Sequence, residues 1–269
     1  MGVTALKVLS FITGPLVAFW LVAASFMVTL SAPVTHLLAD ATVDASGTAH
    51  SHEYLVSIAD ATRAFALGDD GASIPQGSDE RFAFTPEVIG HLLDVRAVFI
   101  AAVVFFWALT FVLIVVLALT LLFARRAKKS FASAAASLIS SPPPLVNPTA
   151  SEPLVASPFV ASAAQIRRSF GLALIVAGCV PLALGIVFTL IGVLAFDALF
   201  TWMHGLFFAE GTWQFSWDSL LILALPPGFW MGCAAVWAVS LAFFCLLGIV
   251  AGMVIRRRAT IRYGRPRPR

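Results

Sequence analysis

"GHLLDVRAVFIAAVVFFWALTFVLIVVLALTLLFARRAKK", residues 90–129, decides the architecture of this chain. From Ala97 to Ala124 no residue carries a charge, and crossing a hydrocarbon core takes only about 20 apolar residues in a helix. One end of the run is bounded by His91, Asp94 and Arg96, the other by Arg125, Arg126, Lys128 and Lys129. Three further apolar runs are also long enough to cross: Val8–Leu30, Phe170–Phe196 and Gly228–Ile255. With 60% hydrophobic and 12% charged residues and a mean hydropathy of +0.94, an ordinary soluble domain is excluded.

The expected fold is therefore all-α: one integral membrane domain, residues 1–269, with four transmembrane helices and two extracytoplasmic loops bearing short helical elements. The shorter run Ser219–Leu225 stops at Pro226-Pro227, which suits an interfacial or re-entrant piece better than a fifth span. The first run exceeds the usual apolar core of a signal peptide, and Pro33 would sit just after the cut, so it is expected to stay attached.

Basic residues in short loops mark the cytoplasmic side. Fourteen of the seventeen Lys and Arg fall on one side of the four spans, leaving Arg63, Arg81 and Arg96 on the other. Thirteen of the fourteen acidic residues, all but Glu152, and all five histidines accompany those three. Both termini and the connection 125–169 are thus expected in the cytoplasm, and residues 31–96 and 197–227 outside. The net charge of +3 conceals +13 on one side and −10 on the other. Such a distribution carries no implication of nucleic-acid binding.

Cys179, Cys233 and Cys245 all lie inside predicted spans, so packing is expected of them rather than a disulfide framework. Residues 130–165, with "SPPPLVNP" at 141–148, read as a flexible, partly extended linker. Gly171, Gly178, Gly185 and Gly192 recur every seven residues along the third span. A glycine stripe admits another helix backbone at close range; a groove for a lipid acyl chain is the alternative, which makes Gly185 a candidate lipid contact.

Thr85-Pro86-Glu87 is a helix start, with a Thr N-cap, Pro at the first helical position and an acid in the first turn. Glu87, His91 and Asp94 then share a helix face at i, i+4, i+7. Two carboxylates near an imidazole raise its pKa and orient it, as a proton-transfer residue needs. A solvated interfacial histidine fits the same segment. Further on, Asp197 and His204 are seven apart, amid Trp202, Trp213, Trp217 and Trp230. Interfacial tryptophans are common anchors, whereas an Asp and a His among them are costly and point to function.

His91-x-x-Asp94-Val95-Arg96 followed by Phe99, together with Phe196-Asp197, Phe200, His204, Phe208, Thr212-Trp213, Asp218, Leu225-Pro226 and Phe229, resembles the bacterial lipoprotein intramolecular transacylases, the Lit family. The two blocks span roughly fifty residues, and Arg96 stands where that pattern has Lys. The resemblance implies a membrane acyltransferase that moves the sn-2 acyl chain of a diacylglyceryl-cysteine lipoprotein onto that cysteine's own α-amine. It implies His91 and His204 as catalytic residues, with His91 as base and His204 as donor to the oxyanion or leaving alcohol, or the reverse. Asp94, Asp197 and Glu87 are expected to support them. Arg96 is expected to bind a lipid phosphate or pair with Asp94. Trp202, Trp213 and Phe208 are candidates for substrate or lipid contact.

The implied partners are a diacylated lipoprotein and membrane lipid, with no nucleotide and no nucleic acid. No cofactor is expected. "HSH" at 50–52 has the composition for two metal ligands, but a solvated loop pair is the plainer reading, and no metal is expected. A different class stays open, a non-enzymatic membrane docking protein or transporter-associated subunit, which would require neither histidine to be buried or paired. On the orientation above, a membrane-impermeant thiol reagent labels a cysteine introduced at Ser73 in intact cells and leaves one at Ser137 untouched; the opposite pattern would invert the topology.

Overall fold

The computed structural model describes residues 2–140 and 158–264. Among these described residues eight helices follow one another: α1 (Gly2–Thr29), α2 (Ala32–Thr42), α3 (His52–Ala66), α4 (Pro86–Ser140), α5 (Pro158–Leu194), α6 (Phe196–Phe207), α7 (Leu220–Ala224) and α8 (Pro227–Gly264). Four of them contain segments long and apolar enough to cross a membrane: Phe11–Thr29, Pro86–Arg126, Gln165–Leu194 and Pro227–Ala259. Among the described residues there is no strand, only an isolated bridge between Gln76 and Phe84. The fold class is the one the apolar runs require.

Two local expectations change, and a third segment is defined more closely. The reading of 130–165 as a flexible linker does not hold at its two ends, where α4 runs on to Ser140 and α5 already begins at Pro158. Both ends are rich in alanine, the best helix former. The proline-rich stretch itself, within 141–157, lies outside the described residues. The third span does not continue through Phe196: α5 ends at Leu194, Ala195 takes φ −151° and ψ 56°, and a separate helix starts at Phe196. Finally, the run before Pro226 is a five-residue helix whose Leu220, Leu221 and Ala224 are buried among protein side chains.

The chain divides into two compact units. The first comprises Met1–Phe19, Leu109–Val180 and Cys245–Arg269; the second comprises Trp20–Ala108 and Pro181–Phe244. Within the first, α5 and α8 meet through glycine. A Cβ placed on Gly171 would stand 2.7 Å from the Gly252 carbonyl oxygen, and one on Gly178 would stand 2.6 Å from the Cys245 carbonyl oxygen. Within the second, a Cβ on Gly185 would meet the Leu241 side chain at 2.7 Å. Three of the four stripe positions thus face α8 at close range, and Gly185 packs on a leucine of this chain.

The second unit has its own apolar core. Leu55, Ile58 and Ala59 of α3, Phe84 just before α4, Val88 and Leu92 of α4, Leu220 and Ala224 of α7, and Phe229 at the start of α8 are all buried in it. The i, i+3, i+4 spacing on α3 and again on α4 is what turns one face of each helix inward. α3 is capped by Ser51, whose hydroxyl accepts from the Tyr54 N–H. It ends where Gly68 adopts φ +98°, a conformation that favours glycine, while the Asp69 N–H returns to the Ala64 carbonyl. The chain then crosses to α4 through a loop held by Phe84 N–H to Pro75 O (2.7 Å) and by Leu220 N–H to Glu80 O (2.7 Å). The start of α4 is thereby fixed against α3 and α7.

The two kinds of glycine contact separate by experiment. A carbonyl oxygen cannot rotate away and a leucine side chain can, so Gly178→Leu is expected to cost about 3 kcal/mol and Gly185→Leu nearer about 1 kcal/mol, the ends of the usual overpacking range. Thermal unfolding in detergent, followed by tryptophan fluorescence, measures both; equal midpoints would contradict the packing described.

Candidate active site

His91 lies where two faces of α4 meet. At 3.6 residues per turn, Val88, His91 and Leu92 occupy the flank buried in the core, while Glu87 and Asp94 lie on the other, exposed flank. The i, i+4, i+7 face predicted from sequence exists, but the ring turns away from it. Neither Glu87 nor Asp94 hydrogen-bonds the imidazole. Its Nδ1 is buried without a hydrogen-bond partner, and the residue is 8% exposed. The expected carboxylate–histidine grouping is therefore not formed, because the apolar neighbours at 88 and 92 draw the ring into the core.

His204 comes from α6, whose restart after Ala195 carries Phe200, His204 and Phe207 in successive turns. It is 7% exposed. Its Nδ1 lies 2.8 Å from the Phe200 carbonyl oxygen, four residues back. A carbonyl only accepts, so Nδ1 carries the hydrogen, and in the neutral ring Nε2 keeps a lone pair. Asp197, expected to orient this histidine, is exposed on α6, and the backbone takes that role. Burial pushes the His204 imidazole below its ordinary value of 6.5, opposed by the smaller effect of the bond to Phe200.

The two imidazoles come together although 113 positions separate them in the chain. Their ring centroids are 6.2 Å apart, with planes inclined at 25°. Aromatic rings enclose the pair: Phe208 lies 4.8 Å from His91 and 5.5 Å from His204, Phe215 lies 5.6 Å from His91, and Trp213 lies 4.7 Å from His204. Phe208 and Trp213, expected near substrate, thus line the site. Trp202 does not, being 55% exposed on α6. Phe215 escaped the sequence reading, since it sits in a loop where no periodicity singles it out.

The remaining candidates have other work. Arg96 pairs with Asp70 at 2.6 Å, donates to the Gly68 carbonyl at 3.3 Å and lies over the Phe65 ring at 5.2 Å. Its carboxylate partner is 26 residues upstream, so the pairing with Asp94 is corrected. The loop histidines part ways: His50 meets the Arg81 carbonyl at 2.7 Å, His52 meets Asp40 at 3.0 Å, and His36 meets Asp60 at 2.8 Å. Among the described residues no three His, Cys, Asp or Glu side chains gather closely enough to hold a metal ion. Chemically, then, the site offers two buried imidazoles, and among the described residues no serine or cysteine is hydrogen-bonded to either. It suits proton transfer to and from a substrate that brings its own nucleophile.

Comparison with known proteins gives two matches. Residues 11–230 match the family described as lipoprotein intramolecular transacylase Lit. The fold is similar to the in meso structure of the membrane integral lipoprotein intramolecular transacylase Lit from Bacillus cereus, with 13% sequence identity, a TM-score of 0.53, and 95% of this chain and 98% of that one covered. No curated protein matches.

The tautomer and the lowered pKa of His204 have a direct readout. A group whose folded pKa is depressed stays neutral below its ordinary pKa and gains its proton only as pH falls further. Nitrogen-15 histidine spectra are therefore expected to show His204 as the Nδ1–H form at pH 6.5, with its titration midpoint below that value. An imidazolium signal already dominant at pH 6.5 would contradict the assignment.

Proposed function

The chain belongs to the lipoprotein intramolecular transacylase family, and from that premise we propose that it moves the sn-2 acyl chain of a diacylglyceryl-cysteine lipoprotein to the α-amine of the same cysteine. The product is a lyso-form lipoprotein with an N-acyl group. One observation carries the assignment to residues: two buried imidazoles, 6.2 Å apart, enclosed by aromatic rings. A docking protein needs neither histidine buried nor paired.

The reaction fits this inventory. Amine and ester arrive on one substrate, so proximity supplies much of the rate and no enzyme nucleophile is required. The amine, with a pKa of about 8, is largely an ammonium at neutral pH. His204, with Nδ1–H held by the Phe200 carbonyl, presents Nε2 as the base that takes the ammonium proton. The freed nitrogen attacks the sn-2 ester carbonyl, forming the C–N bond and a tetrahedral oxyanion. His91 is the donor to that oxyanion, the second of the two orders left open by the sequence. His204 passes the ammonium proton on to solvent, then takes the second proton from the nitrogen of the tetrahedral adduct and gives it to the glyceryl oxygen as collapse breaks the ester C–O bond, leaving a neutral amide and a free hydroxyl. Phe208 and Trp213 shield the pair from water and contact the lipid part of the substrate. Asp94, Glu87 and Asp197, all exposed, act at a distance by their charge.

The protein is a multi-pass membrane protein with four apolar helices. Its basic residues support an orientation in the bacterial cytoplasmic membrane with both termini inside and the histidine pair at the outer face. Membrane lipid surrounds it and diacylated lipoprotein is its substrate; the reaction calls for no nucleotide.

His91→Ala and His204→Ala are each expected to reduce transfer at least about a hundredfold while the protein still inserts and folds. The double variant is expected to be little worse than either single one, since groups acting on one proton path are not additive. Mass spectrometry of lipoprotein N-terminal peptides from cells expressing each variant measures this. Unchanged N-acylation in His91→Ala would sink the mechanism.

A further inference from the structure

Beside the histidine pair, residues from 78–87 and 211–218 line an open polar basin of about 830 Å³. Asp79, Glu80, Glu87 and Asp218 line it, against a single cation, Arg81, which is already held by Asp79 at 2.9 Å. The basin adjoins the pair in two ways. Phe215 forms part of its wall and packs on His91 at 5.6 Å, and Glu87 stands one helical turn before His91 on α4. Behind that wall His91 is buried, 8% exposed, and is not part of the basin's own lining.

We propose that this basin receives the polypeptide following the lipidated cysteine and favours segments that carry Lys or Arg there. The inference rests on the transacylase reading and extends it to the part of the substrate that does not react. With amine and ester held at the imidazoles, the acyl chains run toward lipid, and the chain leaving the cysteine carbonyl needs a polar exit next to the pair. The basin is that exit. Its carboxylates are dispersed: the Ser216 hydroxyl donates to Glu80, Arg81 occupies Asp79, and no three metal-binding groups gather. Dispersed negative charge suits separate ammonium or guanidinium groups along an extended chain, whose residues lie about 3.5 Å apart, better than one compact cation.

The test uses three diacylglyceryl-Cys-Ser peptides that differ only in a following run of Lys, Gly or Glu, with the full-length protein in nanodiscs of uncharged lipid. At about 50 mM NaCl the Lys peptide is expected to have a KM about tenfold below that of the Glu peptide, with Gly between and kcat similar for all three. At about 500 mM NaCl the gap is expected to shrink to about twofold. Asp218 is exposed and unbonded, so Asp218→Asn and Asp218→Lys are expected to raise the KM of the Lys peptide stepwise. Equal KM for the three peptides at low salt, or a gap indifferent to both salt and Asp218, overturns the inference. No transfer on any peptide overturns instead the reading on which it rests.

Discussion

A charge on one of two imidazoles whose centroids are 6.2 Å apart raises the cost of a charge on the other, and in an enclosure of aromatic rings there is little water to offset it. That constraint organises the second compact unit of the chain. On the proposed mechanism the pair passes one proton at a time, and a second charge within the same enclosure is disfavoured. Everything near it is consistent with keeping it dry: the carboxylates of α4 and α6 stay in solvent, and the Phe200 carbonyl supplies the orienting acceptor. Geometry of this kind tolerates little slack, because a proton donor displaced by an ångström no longer reaches.

The support for the histidine pair comes from a core of apolar side chains. Leu55 and Ile58 of α3 pack with Phe84, Val88 and Leu92, and Leu220 and Ala224 of α7 close the cluster. Val88 and Leu92 flank His91 on the same helix, so the position of the ring is inherited from hydrophobic packing. Two short connections seal the arrangement, Leu220 to the Glu80 carbonyl and Phe84 to the Pro75 carbonyl. A site raised on rigid elements holds its geometry better than one carried by loops, and here His91 and His204 both stand on helices.

The spans were legible in sequence because the bilayer imposes a length and a composition, and an uncharged run such as Ala97–Ala124 has few other uses. The start of α4 was legible in Thr85-Pro86-Glu87 for an equally local reason. The pairing of His91 with His204 was not a local matter; it came from a resemblance in two blocks, and no spacing rule connects residues so far apart. What stayed hidden was settled by tertiary competition. Nothing in the helical face of Glu87, His91 and Asp94 tells that Val88 and Leu92 win the ring, nor that Asp70 captures Arg96. Ala195 breaks a helix although neither glycine nor proline marks it. The Ala-rich ends of the 130–165 connection show the reverse error, in which proline at its centre was allowed to outweigh strong helix formers at its edges.

The acceptor that fixes the His204 tautomer is a main-chain atom. In a catalytic triad the orienting carboxylate is encoded by its own codon, and a single base change can delete it. The Phe200 carbonyl is furnished by whatever amino acid occupies position 200, provided α6 remains a helix. Random mutation therefore has one target fewer, and this part of the machinery can drift in sequence without drifting in chemistry. Relatives that diverge widely around the second histidine can keep the same ring orientation, with helix formation in α6 as the inherited trait.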